Sequence, residues 1–160
     1  MTQIHDPSTR IAYLAWQFGH TTEQRLEKAL RAMDLNLAQF RALVLTALTP
    51  GVSSAEIARH SGLTAQSMGA AVNGLIERGL VERSPHPANR RILELRLTEA
   101  GRVLTAEAQA LVDSVQQELF RVVSADEQES LRELLRRLIE HANPDALRLV
   151  AGPGSEPRQG

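Results

Sequence analysis

The sequence predicts a mainly α-helical protein with one small two- or three-stranded antiparallel sheet set between helices. Three observations carry that prediction. Apolar residues make up 42% of the 160 but aromatics only 3%, and Leu, Ala and Val dominate, a balance that favours helices. Apolar positions recur at three- and four-residue steps along most of the chain. The exception is the stretch 80–98, where two short runs read as strands and the second alternates at every other residue.

The elements follow in order. Residues 9–33 read as one long helix, with Ile11, Leu14, Ala15, Phe18, Thr22, Leu26, Ala29 and Met33 on one stripe. Asn36 with Gln39 offers a reciprocal cap for the next helix, whose apolar face is Leu37, Phe40, Leu43, Val44, Ala47 and Leu48. Pro50-Gly51 stops it. Ser53 with Glu56 repeats the capping pattern and opens a short helix to about His60. Gly62 supplies the positive φ of a tight turn. Thr64 then caps a helix that runs to Arg78 and closes on Gly79. Leu80–Ser84 and Ile92–Thr98 are the strands, joined by the loop Pro85-His86-Pro87-Ala88-Asn89-Arg90-Arg91. Thr98 caps a long helix to about Val123, with Leu104, Ala108, Leu111, Val115, Leu119 and Val122 as its stripe. Ser124 with Glu127 caps a last helix bearing Leu131, Leu134, Leu135, Leu138 and Ile139. The remainder, 143–160, has no apolar period and is expected to be disordered.

Composition excludes several functions. Eighteen Lys plus Arg stand against 19 Asp plus Glu, so a nucleic-acid footprint must be local. Between Gly51 and Arg102 seven Arg face five acids, a net of +2, and the rest carries −3. With no Cys, disulfides, thiolate metal sites and thiol redox sensing are absent. The five His form no close ligand pair, so no metal or cofactor is expected. No Gly-rich phosphate loop, nucleophile elbow or His-Glu-x-x-His occurs, which argues against an enzyme. No apolar run approaches the roughly 18 residues that cross a bilayer, and no signal-peptide core opens the chain, so a cytoplasmic location is expected.

The chemistry concentrates in the middle. In the helix from Thr64, the inward positions are Met68, Ala71, Val72, Leu75 and Ile76. Its outward face holds Thr64, Ala65, Gln66, Ser67, Gly69, Ala70 and Asn73, small and uncharged. Such a face fits the floor of a DNA major groove, where Gln and Asn pair with adenine edges and Ser and Thr reach bases or phosphates. A plain helical hairpin has the same helix–Gly–helix spacing. The neighbouring loop favours DNA, because two prolines stiffen it and Arg90 and Arg91 sit near its end, suited to a narrow minor groove or to phosphates. Ser53, Ser54, Arg83 and Asn89 complete the expected contact set, Ser53 as a cap and Ser54 as a phosphate donor.

The run resembles the MarR-type winged helix-turn-helix regulators. Leu75-Ile76-Glu77-Arg78-Gly79-Leu80-Val81-Glu82-Arg83 is similar to the family's helix-to-strand junction. Asn89-Arg90-Arg91 followed by Leu97-Thr98-Glu99-Ala100-Gly101-Arg102 is similar to its wing and the start of the next helix. Leu37–Leu43 resembles the opening of its second helix. The resemblance spans roughly residues 8–142 and implies a homodimer, a palindromic operator on double-stranded DNA, and relief of repression by a small ligand. Two departures stand out. Asn89 replaces the family's usual Asp, and Gly69-Ala70 stand where Thr and a basic residue are usual.

These readings give an organisation: an N-terminal arm at 1–8, a winged helix-turn-helix at 36–98, and a dimerisation lobe from 9–35 and 99–142. Tyr13, Trp16 and His20 fall within roughly 60° of one another on the first helix, away from its Leu stripe. They are candidates to line a pocket for a small aromatic or amphipathic ligand, with Phe40 and Arg41 as neighbours. Ordinary packing explains the same cluster. The competing function is a helical protein-interaction module whose winged helix no longer binds DNA, a reading that Gly69, Ala70 and Asn89 keep open.

Overall fold

A computed structural model describes residues 6–144 and 146–147. Most of the expected disordered tail, and residues 1–5 of the expected arm, lie outside the described residues. The order is α1 (Ile11–Leu30), α2 (Leu37–Leu48), α3 (Ser54–Ser61), α4 (Ala65–Glu77), β1 (Val81–Pro85), β2 (Leu93–Leu97), α5 (Glu99–Phe120) and α6 (Ala125–Ala142). This is a winged helix-turn-helix flanked by long helices. None of the described helices is long and apolar enough to cross a membrane.

Local sequence explains most boundaries. The Asn36 and Ser53 side chains each accept from the backbone N–H three residues on, while Gln39 and Glu56 reach back, closing both boxes. Ser124 with Glu127 closes a third box at α6, while Thr64 and Thr98 cap α4 and α5 through their hydroxyls alone. The end of α4 is a Schellman turn: Gly79 has φ 67°, its N–H donates to Ile76 O, and Leu80 N donates to Leu75 O.

The first long helix is shorter than the sequence implies. A 3-10 turn at Pro7–Thr9 precedes α1, and another at Arg31–Met33 follows it. Asp34 then adopts a left-handed φ of 52°. The carbonyls of Met33 and Asp34 accept from the Arg78 guanidinium, at 3.3 and 2.6 Å. That cation at a helix C-terminus favours the dipole and ties α1 to the end of α4.

The core sits where α2, α3 and α4 meet the base of the sheet. Leu30, Leu43, Ile57, Met68 and Leu75 are wholly buried, with Val52, Leu80, Val81, Leu95 and Leu97 around them. β1 and β2 pair antiparallel from Val81↔Leu97 to Pro85↔Leu93. The third strand is reduced to two hydrogen bonds, Gly51 N to Leu95 O and Leu95 N to Val52 O, each 3.0 Å.

Several expected core positions face out instead. Ala47 and Leu48 are exposed because the buried face of α2 turns through Ala42 and Thr46. Val122 is 82% exposed because α5 ends at Phe120 rather than Val123. The inward face of α5 is Gly101, Thr105, Ala108 and Val112. The apolar residues of α6 and of the first half of α1 find no cover within one chain: α6 has no buried residue, and Ile11 is 79% exposed.

Gly101 has a packing role. A Cβ built there would lie 1.9 Å from the Leu80 carbonyl oxygen, which already accepts from Thr98 N. The start of α5 therefore rests on the backbone at the head of β1. Gly101→Ala is expected to destabilise the fold by about 2–3 kcal/mol or more, the upper range for overpacking, because the obstacle is backbone and cannot rotate away. Denaturant unfolding checks this; an unchanged midpoint would contradict the packing argument.

Candidate nucleic-acid interface

The outward face of α4 is built by its period. With Met68, Ala71, Val72 and Leu75 buried, Ala65, Gln66, Ser67, Ala70 and Asn73 are all exposed, with Thr64 at the cap. Thr64 and Ser67 are mutually bonded: Ser67 N donates to Thr64 Oγ1 at 3.0 Å, and Thr64 Oγ1 to Ser67 Oγ at 2.9 Å. The Ser67 hydroxyl hydrogen is left to serve an outside acceptor. Gly69 is open, with no atom within 4 Å of a built Cβ, so its smallness answers no packing need inside the chain.

Two of the expected contact residues meet each other. Arg83, on β1, donates from Nη2 to the Asn73 side-chain oxygen Oδ1. The pair links the wing to the middle of α4. It leaves the Asn73 side-chain amide N–H groups and the remaining Arg83 N–H groups as donors at this corner.

At the other end, Asn89, Arg90 and Arg91 are exposed on the wing loop. The Asn89 side chain accepts from Arg91 N at 3.2 Å, and Ile92 N donates to Asn89 O at 2.9 Å. Neither arginine has an ion-pair partner among the described residues. Their charge is thus uncompensated at short range.

Ser53 and Ser54 are half-buried at the start of α3. The Ser53 hydroxyl is spent on its cap, donating to Glu56 at 2.7 Å and accepting from Glu56 N at 3.3 Å. The Ser53 backbone N–H, then its hydroxyl, hold the Glu56 carboxyl below its ordinary range. A carboxyl depressed in the folded state contributes stability at neutral pH and loses it as pH falls through that lowered value. Protection of the Ser53 amide against exchange, taken relative to its intrinsic rate at each pH, should therefore hold at neutral pH and be lost only below the usual carboxylate range. Ser53→Ala should cost about 1 kcal/mol at neutral pH, read by chemical denaturation.

The residues expected to hold a small ligand divide. Tyr13, Trp16 and His20 form an exposed aromatic ladder on α1. Trp16 and His20 stack at 5.4 Å with ring planes 2° apart, and Tyr13 lies 6.2 Å from Trp16. Phe40, by contrast, packs in the core, and Arg41 pairs with Glu23 at 3.0 Å. Sequence reasoning missed an open cavity of about 680 Å³ between α1, α5 and α6, lined by Phe18, Thr22, Phe120, Leu131 and Leu135 among others. Its floor is the edge-to-face pair Phe18–Phe120. The α1 stripe contained Phe18, but the approach of Phe120 is tertiary.

Comparison with known proteins agrees with this geometry. A family model described as the MarR family matches residues 33–92. The HTH-type transcriptional repressor Rv2887 of Mycobacterium tuberculosis is 30% identical over 128 residues, covering 80% of this chain and 92% of that one. The crystal structure of Rv2887 with salicylic acid superposes with a TM-score of 0.69 over 81% of this chain and 96% of that one, and a structure of it with DNA gives 0.68 over 81% and 97%. CouR from Rhodococcus jostii, solved with p-coumaroyl-CoA, is 28% identical with a TM-score of 0.77, covering 88% of this chain and 97% of that one. Matched by the family model over residues 33–92 and by Rv2887 over four-fifths of its length, this chain belongs to the MarR family of helix-turn-helix transcriptional regulators.

Proposed function

We propose that the protein is a homodimeric, sequence-specific repressor that binds a palindromic operator on double-stranded DNA and is released by a small aromatic or amphipathic ligand. It acts by binding alone, in the cytoplasm, with no catalytic step. The observation that carries the reading is the exposed, uncharged face of α4 beside a wing ending in two arginines that have no ion-pair partner among the described residues. Residues 36–98 are the reading unit: Gln66, Ser67, Ala70 and Asn73 face the major groove with Thr64 and Ala65 at the helix start. Ser54, Arg83, Arg90 and Arg91 serve phosphates or the minor groove, with Ser53 and Asn89 holding the backbone around them. Residues 9–35 and 99–142 form the dimer lobe. Pairing covers the apolar faces of α1 and α6, an exposed surface that single soluble chains rarely carry.

That Rv2887 has been solved with DNA and with salicylic acid supports both halves of the reading. For the ligand, the ladder of Tyr13, Trp16 and His20 offers a planar stacking surface, while Phe40 serves the core and Arg41 is held by Glu23. A ligand acts by favouring a dimer whose α4 helices are wrongly spaced, and must bind the two forms with different strength. A gel shift with duplex from upstream of the protein's own coding region tests DNA binding. Affinity should fall steeply as salt rises; binding that ignores salt, or none, favours the protein-interaction alternative. Trp16 emission tests the ligand site: compounds that release DNA should change it.

A further inference from the structure

We propose that His86 is a positioning residue of the wing, fixing the loop that carries Arg90 and Arg91 to Glu94 and, through Glu94, to the entry of the helix-turn-helix. The inference rests on the wing being a DNA contact, and it concerns how the two arginines are aimed.

His86 is engaged by its backbone and by both ring nitrogens. Its N–H donates to Ile92 O at 2.8 Å, and its carbonyl accepts from Asn89 N at 3.2 Å, closing the loop base. Nδ1 accepts from Ala88 N at 3.0 Å, which places the proton of the neutral ring on Nε2. Nε2 faces Glu94 Oε1 at 3.6 Å, a polar contact longer than a full hydrogen bond. The imidazole thus links the loop to the opposite strand.

Glu94 is a well-seated anchor. Its side chain is only 13% exposed, and its other oxygen takes Arg96 Nη2 at 3.3 Å. The carboxylate lies against Gly51, where a built Cβ would be 3.4 Å from Glu94 Cδ. Gly51 has φ +92° and bonds to Leu95 O, two residues ahead of the Ser53 cap of α3. A line of contacts therefore runs from the wing loop to the start of the helix-turn-helix. On the loop itself, Asn89 adds one neutral side-chain bond, to Arg91 N. Ordering the loop before DNA arrives removes a conformational cost that binding would otherwise carry.

The test uses the full-length protein and a duplex selected by the wild type from a random pool. Anisotropy titrations across a salt series compare wild type, His86→Ala and His86→Asn, each also in an Arg90→Ala/Arg91→Ala background, with thermal unfolding alongside. His86→Ala should weaken binding about five- to tenfold, the scale of one or two lost polar contacts. Its melting temperature should stay within about 2 °C of wild type, since the loop is outside the core. His86→Asn, whose side-chain oxygen can still accept from Ala88 N, should recover part of the loss. The deciding readout is coupling: without the two arginines, His86→Ala should have no further effect. Affinity within twofold of wild type, or a loss undiminished in the arginine-free background, overturns the assignment. A wild-type protein that selects no duplex would instead overturn the DNA-binding reading itself.

Discussion

Replacing Arg90 and Arg91 together with Ala should weaken operator binding about a hundredfold or more and flatten its salt dependence. Each protomer loses two cations, so a dimer that places all four on phosphates should lose roughly four units from the slope of log K against log salt. The effect is large because charge is scarce elsewhere: the region Gly51–Arg102 has a net charge of only +2, and the whole chain −1. Neither guanidinium has an ion-pair partner among the described residues, so their removal should leave thermal stability unchanged. Equal affinity and equal slope for variant and wild type would show that the wing does not touch DNA.

Leu134→Glu with Leu138→Glu should turn the dimer into a monomer and, with it, abolish tight operator binding. Leu134 and Leu138 are 53% and 57% exposed on α6, a helix with no buried residue. A side chain of this size gains about 2 kcal/mol on full burial, and a two-fold axis counts each substitution twice. Losing those contacts and burying four carboxylates should exceed the stability of an ordinary dimer. The folded core should survive, because α6 contributes nothing to it. Light scattering on an eluting peak reads the mass directly. A double variant that stays dimeric would move the interface elsewhere.

What the sequence reveals here is what local chemistry decides. The reciprocal caps at Asn36–Gln39, Ser53–Glu56 and Ser124–Glu127 form as their spacing dictates, and Gly62 and Gly79 take positive φ where helices must end. The outward face of α4 is legible because a 3.6-residue period with Met68, Ala71, Val72 and Leu75 inside leaves only one face outside. Features that depend on distant partners are not legible. Arg78 reaches a carbonyl 44 positions away, and Arg83 meets Asn73 only because β1 leaves α4 through the turn at Gly79. Leu30, which the expected stripe does not include, is the innermost residue of α1, whereas Ala29 on that stripe is half-buried. Ala47, Leu48 and Val122 share the apolar character of core residues but lie near helix ends, where the period continues and the packing does not.

The central claim is that two copies of α4 lie in successive major grooves. Methylation interference tests it, because a methyl on guanine N7 blocks the groove floor that α4 would occupy. On the selected duplex, two clusters of interference should appear on one face, about one helical turn (roughly 10 base pairs) or a multiple of it apart. A single cluster, or retained binding when every guanine N7 carries a methyl, would contradict it.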